Sequence, residues 1–254
     1  MILGYTKGGV ARTRRRYDAR GMPTVVDVAE LIRPRGDAGA PFIVGITGAV
    51  AVGKSTLAAA LRSQLAGSAS TVEVVCTDGF LFDNATLEAR GLTMRKGYPE
   101  SYDVEALRRA LTKVRLGPAD FPGYSHVSYD VDPALTRRIA APDVLIVEGL
   151  GLHEPAAVGL DALLYLDADE ALLEEWFTAR FLQLWRAAES DPGSFYARFR
   201  HMGQGEVTVL AAHVWQTINL PNLREHIVLA RDQANWVVRK GAGHVIEAID
   251  TPSD

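Results

Sequence analysis

Apolar positions along the chain follow two alternating rhythms, short continuous runs and a three-to-four spacing. Phe42-Ile43-Val44-Gly45-Ile46 is an apolar, β-branched run and predicts a buried strand. Thr56 to Arg62 follows, rich in strong helix formers. A second run, Thr71 to Thr77, ends at Asp78-Gly79-Phe80, and the single helix between the two predicts a βαβ unit with a parallel pair. Asp143 to Gly149 predicts a third strand, apolar throughout from Val144 to Val147 and so covered on both faces. Ala162 to Leu166 predicts a fourth. Helical spacing marks Val25 to Ile32, with Val26, Ala29 and Ile32 on one face, and Ser101 to Leu116, with Val104, Leu107, Leu111 and Val114. Glu170 to Ala188 and Glu206 to Ile218 read as further helices. Asn84 to Ala89 is a short helix in an otherwise loop-like 81–99.

Ile227 to Ala230, Asn235 to Arg239 and His244 to Ile249 read as late strands. Residues 1–22 and the proline- and glycine-bearing stretch Gly117 to Pro133 read as irregular, the latter as a binding loop because it carries Tyr124-Ser125-His126-Val127-Ser128-Tyr129-Asp130. Residues 33–39 form a linker. The alternation predicts an α/β fold, a doubly wound, mostly parallel sheet. Residues 1–40 are expected to be a tail with a short helix, and 41–254 a single domain.

Between the first strand and its helix lies Gly48-Ala49-Val50-Ala51-Val52-Gly53-Lys54-Ser55, with Thr56 next. This is the pattern of a phosphate-binding loop in its required setting. Its glycines permit a tight turn, so backbone N–H groups and a positive helix end converge on a phosphate. A plain glycine-rich turn is the alternative. On the functional reading Gly48, Val50, Ala51, Gly53, Lys54, Ser55 and Thr56 bind ATP, Lys54 reaching the β- and γ-phosphates and Ser55 holding Mg²⁺.

Composition narrows the picture. Basic and acidic residues number 27 and 31, and a net charge of −4 argues against a nucleic-acid partner. Lys7, Arg12, Arg14, Arg15 and Arg16 all precede the first acid, Asp18, which suits a mobile tail, a transit peptide or a nucleic-acid arm, the tail being preferred. The one cysteine, Cys76, excludes an internal disulfide and suits a reducing compartment. No window approaches a membrane span, and the expected location is the cytoplasm.

Ligands of such sheets sit beyond the carboxyl ends of the strands, which gives weight to Asp78 and Glu148. Each has an alternative reading as a turn or cap residue. Beside a phosphate loop, Glu148 suits the metal and Asp78 suits the base. A cation from outside the loop is also expected, with Arg180, Arg95 and Lys96 as candidates.

Gly48 to Thr56, Thr77-Asp78-Gly79-Phe80, Arg90-Gly91-Leu92 and Lys96-Gly97-Tyr98-Pro99-Glu100-Ser101-Tyr102-Asp103 together resemble prokaryotic type I pantothenate kinase, a P-loop kinase related to uridine kinase and phosphoribulokinase. Tyr124-Ser125-His126 with Tyr129-Asp130, Asp143 to Leu150, Arg180-Phe181-Leu182, Trp215 with Ile218-Asn219, and Lys240 followed by His244 continue it in order, over roughly residues 41 to 248. The resemblance implies ATP-dependent phosphorylation of the primary hydroxyl of pantothenate, the first step towards coenzyme A. It implies Asp78 as base, Arg180 facing the transferred phosphate, and Lys54 and Ser55 on the phosphates and Mg²⁺. It implies Tyr124, His126, Tyr129 and Asn219 around pantothenate, with Lys240 and His244 beside adenine.

Four departures stand out. Only about forty residues precede the first strand where the family has a long helical segment, which leaves a homodimer open. Ala59 occupies the place of an arginine tied to feedback by coenzyme A, which predicts weak feedback. Phe177 replaces a tyrosine of the substrate pocket, and Leu184 and Glu189 replace aromatic residues along it. An acceptor other than pantothenate, such as a pantothenate-like amide, a nucleoside or a phosphosugar, is therefore the second reading. A nucleotide-binding regulator without catalysis is the third.

Overall fold

The computed structural model describes residues 12–14, 21–32, 40–66 and 71–252. Its centre is a seven-stranded sheet in the order β1-β9-β8-β7-β2-β6-β3. β1 (Arg12–Arg14) leads to α1 (Val25–Leu31), then β2 (Phe42–Gly48), α2 (Lys54–Ala66) and β3 (Val72–Cys76). α3 (Asn84–Ala89) and α4 (Val104–Val114) precede a separate hairpin of β4 (Ala119–Ser125) and β5 (Asp130–Ile139). β6 (Val144–Glu148), α5 (Pro155–Val158), β7 (Ala162–Asp167) and α6 (Glu170–Ala187) complete the parallel core. A long helical stretch follows as α7 (Gln204–Val214), a π turn (Trp215–Asn219), α8 (Leu220–Asn222), a second π turn (Leu223–Ile227) and α9 (Leu229–Gln233). β8 (Trp236–Lys240) and β9 (Ile246–Pro252) end the described chain.

The five strands β3, β6, β2, β7 and β8 run parallel, with β3 at one edge of the sheet; at the other edge β9 pairs antiparallel with β8, and β1 antiparallel with β9. β6 is buried at every position, as its unbroken apolar run requires. One core cluster joins both faces of the sheet, with Leu57, Leu61 and Leu65 of α2 and Leu107, Leu111 and Val114 of α4 in it. Asp103 caps α4 by accepting from Ala106 N at 2.7 Å, which starts that helix at Val104, three residues later than the spacing implies.

Several expectations are corrected. β2 and β3 are parallel but not paired, because β6 lies between them. The right-handed crossover rule sets the direction of the connection, not how many places it spans. Residues 117–133 are not an irregular loop: most of them belong to β4 and β5. Pro122 hid that hairpin from the sequence pattern, and it sits at the register shift between Phe121 and Gly123, where no ladder N–H is needed. Ile227 to Ala230 is helical, Leu223, Ile227 and Ala230 forming its buried face. On α1 the buried residues are Val28 and Ala29, with Ile32 just past its end also buried, while Val26 is exposed. Within 1–22, Arg12–Arg14 forms an edge strand on β9. Lys7, Arg15, Arg16 and the 33–39 linker lie outside the described residues. Among those described, no helix is long and apolar enough to cross a membrane.

Candidate active site

The loop between β2 and α2 curls beyond the carboxyl end of the sheet. Gly48 has φ 141°, and a Cβ there would lie 2.3 Å from the Leu166 carbonyl oxygen, so glycine lets β2 turn against β7. α2 begins at Lys54, so its unpaired N–H groups and positive end face the loop. Lys54 Nζ donates to the carbonyl oxygens of Ala49 (2.8 Å) and Gly48 (3.1 Å), which folds the ammonium back over the turn. Burial lowers its pKa, and the carboxylates of Glu148 and Asp78 oppose that shift. Ser55 and Thr56 are exposed at the helix start, Val50 and Ala51 half-buried in the loop.

Glu148 ends β6 and is 7% exposed. Its Oε1 accepts from Ser55 Oγ at 2.9 Å, giving an all-oxygen pair suited to a hard cation. Among the described residues no group of three His, Cys, Asp or Glu side chains assembles a metal cage. Asp78 lies in the short 3₁₀ turn Thr77–Phe80 that follows β3. Tyr102 donates to Asp78 Oδ1 at 3.4 Å, and the Asp78 N–H points at Cys76 Sγ at 3.5 Å. Burial, reinforced by the Asp78 carboxylate, pushes both the Tyr102 phenol and the Cys76 thiol well up. A Cβ on Gly79 would fall 2.0 Å from the Pro122 carbonyl oxygen, so only glycine lets the hairpin lie against this turn.

The hairpin carries an aromatic group. The Tyr124 ring is 5.2 Å from His126 and 5.9 Å from Tyr129, and Tyr129 stacks on Phe195 at 4.5 Å. Lys96 reaches into this group: its Nζ donates to Tyr129 O (2.6 Å) and Asn84 Oδ1 (2.7 Å) and sits about 5 Å over both tyrosine rings. Burial lowers its pKa. Sequence reasoning held Lys96 only as one of three candidate cations, because a loop lysine carries no pattern of its own.

Arg180 is exposed on α6, and its charge is felt by Lys54, Tyr129 and Tyr196, so it faces the same space. Phe177 lies one turn earlier, with ring centroids 6.0 Å from Phe181 and 5.8 Å from Trp215. Asn219 closes the first π turn. Its side chain has no hydrogen bond to the other candidate residues among those described. His126 is exposed at the hairpin tip, Leu184 packs in the cluster around Phe181 and Tyr196, and Glu189 and Ala59 are exposed. Tyr98 Oη donates to Ile218 O, and Asn222 Nδ2 to Gly97 O, both at 2.9 Å. These two bonds fasten the Lys96 loop to the helical stretch that carries Asn219.

Lys240 and His244 close the opposite side of the phosphate loop. Lys240 is 5% exposed and donates to Val52 O at 3.1 Å. Burial, together with the neighbouring Lys54 ammonium, brings its pKa down to about 8. The His244 ring stacks on Trp176 at 3.8 Å, and burial with the Lys240 charge lowers its pKa. Trp176 was not foreseen, since an aromatic at helical spacing reads as core. Three non-glycine residues hold positive φ among those described, Ala51 (66°), Tyr129 (56°) and His244 (61°), and all three are candidate ligand contacts.

The sequence profile of the Phosphoribulokinase / Uridine kinase family matches residues 43–179. The pantothenate kinase of Clavibacter sepedonicus is 44% identical over 218 residues, 81% of this chain and 68% of its own length. That of Rhizobium rhizogenes is 41% identical over 230 residues, 84% and 70% of the two chains. D-glycerate 3-kinase from Cryptococcus neoformans superposes with a TM-score of 0.57 at 12% identity, covering 89% of this chain and 96% of its own, a likeness of fold.

Proposed function

The chain belongs to the pantothenate kinases of the phosphoribulokinase and uridine kinase family, and from that membership we propose that it transfers the γ-phosphoryl group of ATP to the primary hydroxyl of pantothenate. It is an ATP-dependent kinase, and its acceptor is a small molecule. The reading is carried by one convergence: Lys54, the Ser55–Glu148 pair and Asp78 meet at the carboxyl ends of β2, β6 and β3, opposite the phenol-bearing hairpin.

The chemistry follows from the groups present. The loop amides and Lys54 bind the phosphates, and Asp78 accepts the acceptor's proton as the new O–P bond forms and the bond to ADP breaks. Arg180 and Lys54 offset the charge on the transferred group. The hydroxyl–carboxylate pair fits Mg²⁺, which takes few protein ligands and completes its shell with phosphate oxygens and water. Ser55 and Glu148 would hold it, and it would supply charge neutralisation at the phosphates. Tyr124, His126, Tyr129, Lys96 and Asn219 orient the acceptor, and Lys240, His244 and Trp176 border the nucleotide.

The test is ADP release by the purified protein with Mg-ATP, with and without pantothenate. Pantothenate-dependent turnover is expected. A second reading, the same machinery acting on another alcohol, is favoured by the apolar wall at Phe177 and Leu184. Turnover with a pantothenate amide, nucleoside or phosphosugar, but none with pantothenate, would replace the first reading by the second.

A further inference from the structure

Ser194 to Phe199 lies outside every motif of the sequence pattern, yet the structure brings it to the hairpin tip. Phe195 N donates to Val127 O at 2.7 Å, and the Phe195 ring stacks on Tyr129. The next residue, Tyr196, is 8% exposed, and its ring packs edge-on against Phe181 at 5.1 Å and against Phe195 at 5.4 Å. Phe181 is the residue Phe177 also touches, so Tyr196 and Phe177 meet the same aromatic wall. Phe177 brings no hydroxyl to it; Tyr196 does. Among the described residues no hydrogen bond reaches the Tyr196 hydroxyl, nor those of Tyr124 and Tyr129. None of the three hydroxyls is among the buried polar atoms left without a partner, so each opens onto the space in front of the aromatic wall, where a ligand can bond it.

We propose that Tyr196 is a third phenol of the acceptor pocket, its hydroxyl hydrogen-bonding the acceptor alongside Tyr124 and Tyr129 and so helping to determine which alcohol binds. The proposal rests on the pantothenate reading given above. The electrostatics agree with the geometry: Tyr196 bears on both Tyr124 and Tyr129, and Arg180 bears on Tyr196, so the three phenols and the guanidinium share one space. Burial pushes all three phenols up, which keeps them neutral and able to donate.

Tyr196→Phe removes the hydroxyl and keeps the ring against Phe181, so the fold is retained. For this variant KM for pantothenate rises about tenfold, with kcat within about twofold of the parent, the pattern of a lost binding contact. KM for ATP and the melting temperature stay as they were. A KM for pantothenate unchanged from the parent, or a KM for ATP that rises with it, overturns the assignment of Tyr196. Tyr196→Leu, run beside it, loses ring and hydroxyl together. A defect in that variant alone would show that Tyr196 serves as packing and would also overturn the proposal. A parent protein silent with pantothenate would instead bring down the acceptor reading, an outcome distinct from either.

Discussion

The Ser55 hydroxyl donates to the Glu148 carboxylate at 2.9 Å although 93 positions separate the two residues. Strand order makes this meeting: β6 pairs with β2 in a register that sets Glu148 beside Ile46, two residues short of the loop's first glycine. Glu148→Gln keeps a hydrogen-bond acceptor for Ser55 and removes the charge. The Mg²⁺ concentration needed for half-maximal turnover should rise by about tenfold or more, the scale of disturbing a metal's immediate surroundings. A magnesium titration of the variant checks this, and an unchanged midpoint would remove Glu148 from the metal site.

Asp78→Asn is nearly isosteric and leaves the Tyr102 contact with an acceptor. Turnover should fall by at least about a hundredfold, the usual worth of a general base. ATP affinity, followed by calorimetry, should hold. Turnover close to that of the parent would mean that another group takes the proton.

Lys240 couples stability to pH. Its folded pKa of about 8 lies below the ordinary 10.5, so between these values the unfolded chain binds more protons and stability rises with pH. Below pH 8 the buried ammonium costs folding on the order of 3 kcal/mol by the usual conversion. Lys240→Met should therefore stabilise the nucleotide-free protein by about 1–2 kcal/mol at pH 7, after the lost bond to Val52 is allowed for. The gain should shrink towards pH 10. Denaturant melts at the two pH values decide it: a variant less stable at pH 7 contradicts the account.

Gly79→Ala tests the contact between the Asp78 turn and the β4–β5 hairpin, proposed above as base and acceptor wall. The added methyl would fall 2.0 Å from the Pro122 carbonyl, and backbone there cannot swing aside as a side chain can. A stability loss of about 1–3 kcal/mol is expected, the cost of overpacking. KM for pantothenate should rise more than KM for ATP, because the hairpin moves and the phosphate loop does not. Thermal melts and paired KM measurements would show it.

What the sequence disclosed was mostly local. The phosphate loop, its strand and its helix are contiguous, so spacing alone identified Lys54 and Ser55. Asp78 and Glu148 stood out as candidates because each closes an apolar run. The insertion of β6 between β2 and β3 was out of reach, since strand order belongs to the crossovers. The hairpin was obscured by Pro122 and by polar positions along β5, which faces solvent through much of its length. Lys96 and Tyr196 carry no periodic signature, and Trp176 carries only that of a core residue: their positions at the site depend on contacts between segments far apart in the chain. Ile227 to Ala230 was read as strand because a short apolar run does not by itself distinguish helix from strand.

Those two π turns have a consequence for comparing this chain with its relatives. A π turn amounts to one residue inserted into an α-helix, and each such residue rotates everything beyond it by roughly 100°. Within the first, the Ile218 carbonyl accepts from Tyr98 Oη, and Asn219 closes the turn. The second turns Ile227 and Ala230 towards the core. Chain length in this stretch, as well as residue identity, therefore sets which way Asn219 faces.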